Sequence, residues 1–320
     1  MPKFRIRHLT KYSYEVPVRD SANQIMLYPL KDASQGVLQH DIRISGEPVV
    51  SVHHDAFGNE VGTFMHSEPH TRLIIDSKIL VVTSPTQPPM DNTRAADQWQ
   101  ALEALRFQIP YIDFFRQENF ESLVEIEKLV QQQKPDRTPF QVARFFCDYI
   151  FKNFTYQKGI TTVESTLDEV WKLKSGVCQD FAHIFLAMLR LKKIPARYVS
   201  GYVCPKKNGM RGEGATHAWA EIYIPFYGWI GLDPTNNCIA GEAHVRLAVG
   251  KTFSDCSPVK GTYRGTSAHN LEVTVSVSYE DGQTTEESEH VIPEITPSEF
   301  SRNSYRRNME MQMQQQQQQQ

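Results

Sequence analysis

Cysteine is scarce in this chain, with five residues in 320, scattered at positions 147, 178, 204, 238 and 256 and never in a CxxC pair. An odd, dispersed set excludes a disulfide framework, and without CxxC spacing the usual sign of a structural zinc site is missing. Asp/Asn-rich loops with EF-hand spacing are lacking too, so neither calcium nor any other metal or cofactor is expected. Charge of one sign does not dominate: 34 basic residues face 37 acidic ones, for a net charge of −3. That balance excludes a nucleic-acid or anionic-membrane partner on electrostatic grounds. Long hydrophobic runs are also absent. No stretch reaches the roughly 18 apolar residues of a membrane span, and Met1-Pro2-Lys3-Phe4-Arg5 lacks the apolar segment of a signal peptide. A cytoplasmic protein with reduced thiols is the resulting expectation.

Hydrophobic residues make up 40% of the chain, ample for a core, and the length suits two domains. Residues 1–85 read as β-structure. Phe4, Ile6 and His8 alternate with Arg5 and Arg7, and Tyr12, Tyr14 and Val16 alternate with Ser13 and Glu15. Further β-runs lie at Gln39–Ile44, Val49–Asp55 and Leu73–Val82, with a turn at Asp55–Glu60. Short amphipathic strands must each bury one face, which predicts an N-terminal β-sandwich domain. Pro85, Pro88 and Pro89 mark its end.

Residues 86–137 read as a helical connector, with Leu123, Ile126 and Val130 at helical spacing. Thr138-Pro139-Phe140-Gln141 combines an N-cap, a proline at N1 and a capping-box glutamine, and Thr166-Leu167-Asp168-Glu169 is a second capping box. Gly176 is expected to break that second helix, and another helix starts at Cys178 and ends before Pro195. Strands follow at Ala196–Val203, His217–Ile224, Gly228–Leu232, His244–Gly250 and Leu271–Tyr279. The division predicted is a core with a C-terminal β extension over 138–279, then a polar, disordered tail over 280–320 ending in seven glutamines.

Cys178 stands apart from the other cysteines because it follows a glycine and opens a helix. Free backbone N–H groups in a first helical turn favour a thiolate and can bind an oxyanion. The ordinary role of a free cysteine is that of a small buried hydrophobe, and this is assigned to Cys147, Cys204, Cys238 and Cys256. His217 starts a strand, and Asp233 ends the next one. If the two strands pair as a hairpin, imidazole and carboxylate meet at one edge of the sheet. Taken singly, His217 reads as a hydrogen-bonded or surface residue and Asp233-Pro234 as a turn. Together with Cys178 they supply a nucleophile, a general base and acid, and an orienting carboxylate.

The segments Gly176–His183, Ile194–Tyr202, His217–Glu221, and Trp229 with Asp233–Asn236 resemble the bacterial transglutaminase-like family of candidate cysteine proteases. The first 85 or so residues are similar to the N-terminal β-domain of that family, and His244–Gly250 and Ser254–Gly261 resemble its C-terminal extension. The resemblance implies an α+β fold, with a papain-like transglutaminase core of helices packed on an antiparallel sheet. It also implies Cys178 as nucleophile, His217 as base and acid, and Asp233 as orienter. The chain departs from the pattern at Lys251-Thr252-Phe253, where Arg-Asp-Tyr is expected.

Around these residues, Asp180 is expected to stabilise the helix start, by bonding backbone or Arg197. His183 lies off the Cys178 face and is assigned no catalysis. Tyr156 is a candidate oxyanion hydroxyl that nothing local distinguishes from a packed tyrosine. Trp219 and Trp229 line either the cleft or the core, and Lys206, Lys207 and Arg211 sit in a loop before His217. The expected activity is cysteine peptidase or amidase chemistry on a peptide or protein substrate. The alternatives are a protein-glutamine acyltransferase, which differs only in what attacks the thioester, and a non-catalytic scaffold in which the β-domain binds a partner.

Overall fold

The computed structural model describes residues 1–280 and 286–291, except 91, 118, 134–135, 163–164, 205–209 and 213–214. Lys206, Lys207 and the glutamine-rich end therefore lie outside the described residues. The two alternating stretches at the N-terminus form one long strand, β1 (Lys3–Ile25). Its first half pairs antiparallel with β5 (His70–Thr83), Ile6 opposite Ile79, and the register shifts between Ser13 and Val18. Beyond that irregularity Ser21–Ile25 pairs with β4 (Glu60–His66), whose other neighbour is β3 (Ser51–His54). β2 (Gln35–Ile44) flanks β5. The bent strand is thus common to two sheet halves, which close over one core containing Phe4, Ile6, Ile25, Phe64, Ile75 and Val81.

Helices take over in α1 (Ala95–Leu105), a short 3-10 turn at Ile112–Phe115, α2 (Leu123–Gln131), α3 (Pro139–Asn153), α4 (Leu167–Leu173) and α5 (Cys178–Leu191). The connector helices are part of the core packing, because Leu102, Ile126 and Val130 join the cluster of Val142, Phe146 and Phe185. Both capping boxes form. Thr138 Oγ1 accepts from Gln141 N at 3.3 Å, and Thr166 Oγ1 accepts from Glu169 N at 3.3 Å. Helix α4 ends at Lys174, which adopts a left-handed conformation with φ 50°. Gly176, expected to break this helix, instead belongs to β7 (Ser175–Gly176), paired in parallel with β6 (Thr155–Tyr156).

The core sheet runs β11 (Cys238–Ile239), β10 (Gly228–Asp233), β9 (Thr216–Ile224), β8 (Ala196–Val203) and β12 (His244–Gly250). Ala218, Ala220, Ile222 and Ile224 of β9 pack against α5, whose Phe181, Ile184, Phe185 and Met188 are fully buried. Tyr202, Cys204, Val245 and Leu247 belong instead to the core of the β-domain. The mixed helix and sheet architecture agrees with the α+β expectation.

The C-terminal strands are placed differently from the sequence division. A short helix, α6 (Phe253–Cys256), leads to β13 (Val259–Arg264) and β14 (His269–Tyr279), which pair with β1 rather than extending the core sheet. Residues 286–291, expected to be disordered, form β15 (Glu286–Val291) along the free edge of β14, where its backbone completes the ladder. No helix among the described residues is long and apolar enough to cross a membrane.

The two sheets are joined by side-chain amides at the outer edge of β12. Asn59 donates to Val249 O at 2.8 Å and accepts from Val249 N at 2.8 Å. Gln35 does the same for Arg246, at 2.9 and 2.8 Å. Each amide imitates a neighbouring strand and satisfies peptide groups of β12, with Leu30 N also donating to Arg246 O at 3.1 Å. Asn59→Ala removes both partners of Val249 and is expected to cost about 2 kcal/mol in urea unfolding. A loss under about 0.5 kcal/mol would mean that Val249 finds other partners and that the clamp is dispensable.

Candidate active site

Cys178 is the first residue of α5, and the Asp180 carboxylate closes the turn by accepting from Val177 N at 2.8 Å. Thr161 Oγ1 donates to the same carboxylate at 2.7 Å, so Asp180 caps the helix and does not engage Arg197. Burial pushes the Asp180 carboxyl above its ordinary range, against the pull of these two hydrogen bonds. Gly176 is required here by space, since a Cβ would stand 2.4 Å from Asp180 Oδ2. The first N–H groups of a helix have no intrahelical carbonyl to bond, which leaves them available to an anion at this end of α5.

None of the five cysteines is in a disulfide; Cys147, Cys204 and Cys256 are buried, whereas Cys178 and, against expectation, Cys238 are half-buried. Burial raises the thiols of those three well above their ordinary value, which makes them inert. Cys147 donates to Asp233 O at 3.4 Å and serves packing.

His217 and Asp233 meet as the hairpin geometry predicts, with Nε2 of the imidazole 2.8 Å from Asp233 Oδ2. Asp233 accepts, so His217 Nε2 points a proton at the carboxylate and Nδ1 faces away from it. Nδ1 has no hydrogen-bond partner among the described residues. Burial works against a charged ring, but Asp233 and then Cys178 outweigh it and push the imidazole up to about 10. With Nε2 committed to Asp233, Nδ1 is the atom left to exchange a proton with the thiol. Gly212, at φ +76°, passes over this edge, and a Cβ there would lie 3.1 Å from Nδ1 and 3.6 Å from Tyr156 Oη.

Asp233 is fully buried and receives five donors. Oδ1 accepts from Thr235 N at 2.8 Å and Asn236 N at 3.3 Å. Oδ2 accepts from His217, from Asn236 Nδ2 at 2.7 Å and from His244 Nε2 at 3.2 Å. Burial would favour the neutral acid, but the charge and hydrogen bond of His217, and then the hydrogen bond from His244, hold the carboxyl well below the usual carboxylate range. The polar atoms of His217, Asp233 and His244 lie within 4.8 Å of one another. The five N–H donors occupy the carboxylate's lone pairs and describe a hydrogen-bonded cluster rather than a metal cage.

Tyr156 reaches the site because β6 aligns it with Gly176. Burial, then Cys178 and Asp233, push its phenol up, so it stays a neutral donor beside the thiol. His183 is structural: Nε2 accepts from Phe253 N at 3.1 Å, and burial lowers the ring to about 4. Trp219 is fully buried behind the site, its ring 6.1 Å from that of His217 and 5.1 Å from that of His244. Trp229 carries the Arg197 guanidinium at 4.2 Å, and Arg197 pairs with Glu221 at 2.6 Å. Arg211 N donates to Asn236 Oδ1 at 2.8 Å, tying the loop before His217 to the Asp233 turn. His244 and Asn236 are the members that sequence reasoning passed over as contributors. Neither sits in a spacing that distinguishes it from other strand or turn residues.

Residues 127–234 match the Transglutaminase-like superfamily profile, and residues 4–82 match the Bacterial transglutaminase-like N-terminal region. An uncharacterized protein of Mycobacterium tuberculosis is 32% identical over 290 residues, covering 86% of this chain and 91% of the relative. The crystal structure of a candidate cysteine protease from Cytophaga hutchinsonii superposes with a TM-score of 0.67 at 21% identity, covering 89% of this chain and 92% of that one. A Protein-glutamine gamma-glutamyltransferase of Pseudomonas aeruginosa is 31% identical over 87 residues, which are 26% of this chain and 13% of that protein.

The buried pair makes stability depend on pH. His217 is raised from 6.5 to about 10, so its contribution is complete below about 6.5 and is lost as pH rises to about 10. Asp233 is lowered from 3.8, so its contribution is present above 3.8 and fades as pH falls below that. Urea unfolding of wild type and Asp233→Asn should therefore differ most between 3.8 and 6.5, with the gap closing toward pH 10. A gap that stays constant or widens above pH 7 would contradict the assigned pairing.

Proposed function

The chain belongs to the transglutaminase-like superfamily, and from that premise we propose that it is a thiol hydrolase, a cysteine peptidase or amidase. The observation that carries the reading is His217, with Nε2 bonded to Asp233 at 2.8 Å and its other nitrogen left for Cys178. In the proposed cycle Cys178 gives its proton to His217 Nδ1, and the thiolate adds to an amide carbonyl carbon. The oxyanion is met by N–H groups of the first turn of α5 and by the neutral Tyr156 hydroxyl. His217 returns the proton to the departing amine, leaving a thioester on Sγ. It then takes a proton from water, which attacks the thioester and releases the acid.

The near balance of charge supports a peptide or protein substrate rather than nucleic acid, and the five free cysteines support a reducing compartment such as the cytoplasm. Amine transfer is the second reading, favoured by the similarity of 87 residues to the Pseudomonas aeruginosa glutamyltransferase. It shares every step up to the thioester. A scaffold role without chemistry would leave a buried acid and base beside a half-buried thiol unexplained.

Intact-protein mass spectrometry with an activated acyl ester tests the proposal. Wild type should carry a transient acyl group on Cys178, Cys178→Ala should carry none, and His217→Ala should acylate at least about 100-fold more slowly. Adding a primary amine should leave the free acid as the main product. Amide as the main product would move the assignment to transferase, and acylation spread over several cysteines would remove the enzyme reading.

A further inference from the structure

We propose that His244 is a positioning residue: as a neutral imidazole it donates its Nε2 proton to Asp233 Oδ2 and holds that carboxylate against His217. The inference rests on the reading of Cys178, His217 and Asp233 as a reactive triad. It adds a second imidazole on the same oxygen.

The tautomer follows from the contacts. Gly241 N donates to His244 Nδ1 at 3.4 Å, so Nδ1 carries the lone pair and Nε2 carries the proton that meets Asp233 Oδ2 at 3.2 Å. His244 is buried, at 7% exposure, and its ring lies across the edge of Trp219 at 77°. The ring of Trp219 in turn stacks on His217 at an interplanar angle of 28°, so one indole touches both imidazoles, whose own ring centroids lie 6.3 Å apart. Room for this arrangement comes from Gly201, paired with His217 on the neighbouring strand, where a Cβ would stand 2.7 Å from the Trp219 ring.

The two donors on Oδ2 have different duties. His217 changes charge when it takes the thiol proton, and its ring is anchored to the carboxylate on one side only. His244 belongs to β12, on the far side of β8, and its N–H stays in place whatever the charge on His217. A fixed donor keeps Oδ2 from rotating toward other partners and keeps Asp233 ionised between proton transfers. Asn236 Nδ2 also reaches Oδ2, so the loss of His244 should weaken the site without abolishing it. The titratable groups that face the cluster are Cys178 and Tyr156 on the thiol side and Cys147 beneath Asp233. Glu221 and Arg246 share with His244 the lining of a cavity of about 290 Å³ on the β-domain side.

The test measures the rate of Cys178 alkylation by limiting iodoacetamide across pH in the full chain, for wild type, His217→Ala, Asp233→Ala, His244→Leu and His244→Gln. Alkylation should slow at least about tenfold in His244→Leu, the loss of one hydrogen bond to a charged acceptor. Its pH midpoint should move toward that of Asp233→Ala. His244→Gln keeps an N–H donor and should recover most of both effects, which a purely structural role would not predict. A folded His244→Leu with wild-type rate and midpoint, or Gln and Leu variants that behave alike, would overturn the inference. If His217→Ala and Asp233→Ala also leave alkylation unchanged, the triad reading falls with it. Should His244→Leu fail to fold, nitrogen-15 imidazole spectra of wild type decide. A neutral ring protonated at Nε2 between about pH 5 and 8 supports the role, and a cationic or Nδ1-protonated ring removes it.

Discussion

A carboxylate with no access to water can stay ionised only if the protein supplies what water would, and the arrangement around Asp233 follows from that constraint. Transfer of a lone carboxylate into the interior costs enough that the group would take up a proton instead. Here the turn after β10 aims two backbone N–H groups at Oδ1, and Asn236, His217 and His244 converge on Oδ2. Because the charge survives, His217 can become an imidazolium in the same dry environment. Removing any donor from this set therefore affects the protonation of His217 without touching the ring itself.

The β-domain is part of the same construction. β12 carries His244 at its start, and its outer edge is covered by the side chains of Gln35 and Asn59 and by Leu30 N. Arg246, on the same strand, pairs with Asp32 of the β-domain and with Glu221 of β9 at 3.3 Å. Since β13 and β14 return to pair with β1, the core is an insertion between two parts of a single β-domain. The chain has to complete that domain from both ends around the core, which links the order of one to the order of the other.

Much of the site was readable in the sequence because the chemistry-bearing residues sit at element ends. Cys178 at a helix start and His217 and Asp233 on consecutive strands need only a hairpin to bring the last two together, and strand periodicity predicts that hairpin. Both capping boxes were legible for the same reason, since each needs residues only three positions apart. Long-range choices were not legible. Leu271–Tyr279 alternates equally well whether it joins the core sheet or β1, and nothing local selects between them. β4 escaped notice because Gly62 and Thr63 interrupt its apolar pattern, and α1 because its apolar residues are spaced by polar ones. His244 reaches Asp233 across β8 and β9, a relation that only the sheet order creates.

Sheet order also places the departure at Lys251-Thr252-Phe253 away from His244. These residues follow the C-terminal end of β12, six residues of extended chain and about 20 Å from His244 at its start. What holds the turn is backbone rather than the side chains at 251 and 252. Asp255 Oδ2 accepts from Lys251 N at 2.8 Å and from Thr252 N at 3.1 Å, and Arg190 Nη2 donates to Lys251 O at 2.6 Å. Phe253 contributes its N–H to His183 and packs its ring against Tyr198. A turn secured by Asp255, Arg190 and His183 tolerates a change of side chain at 251 and 252 so long as its backbone keeps its course. The same reasoning assigns the constraint on this segment to Asp255 and Arg190, whose side chains make the contacts.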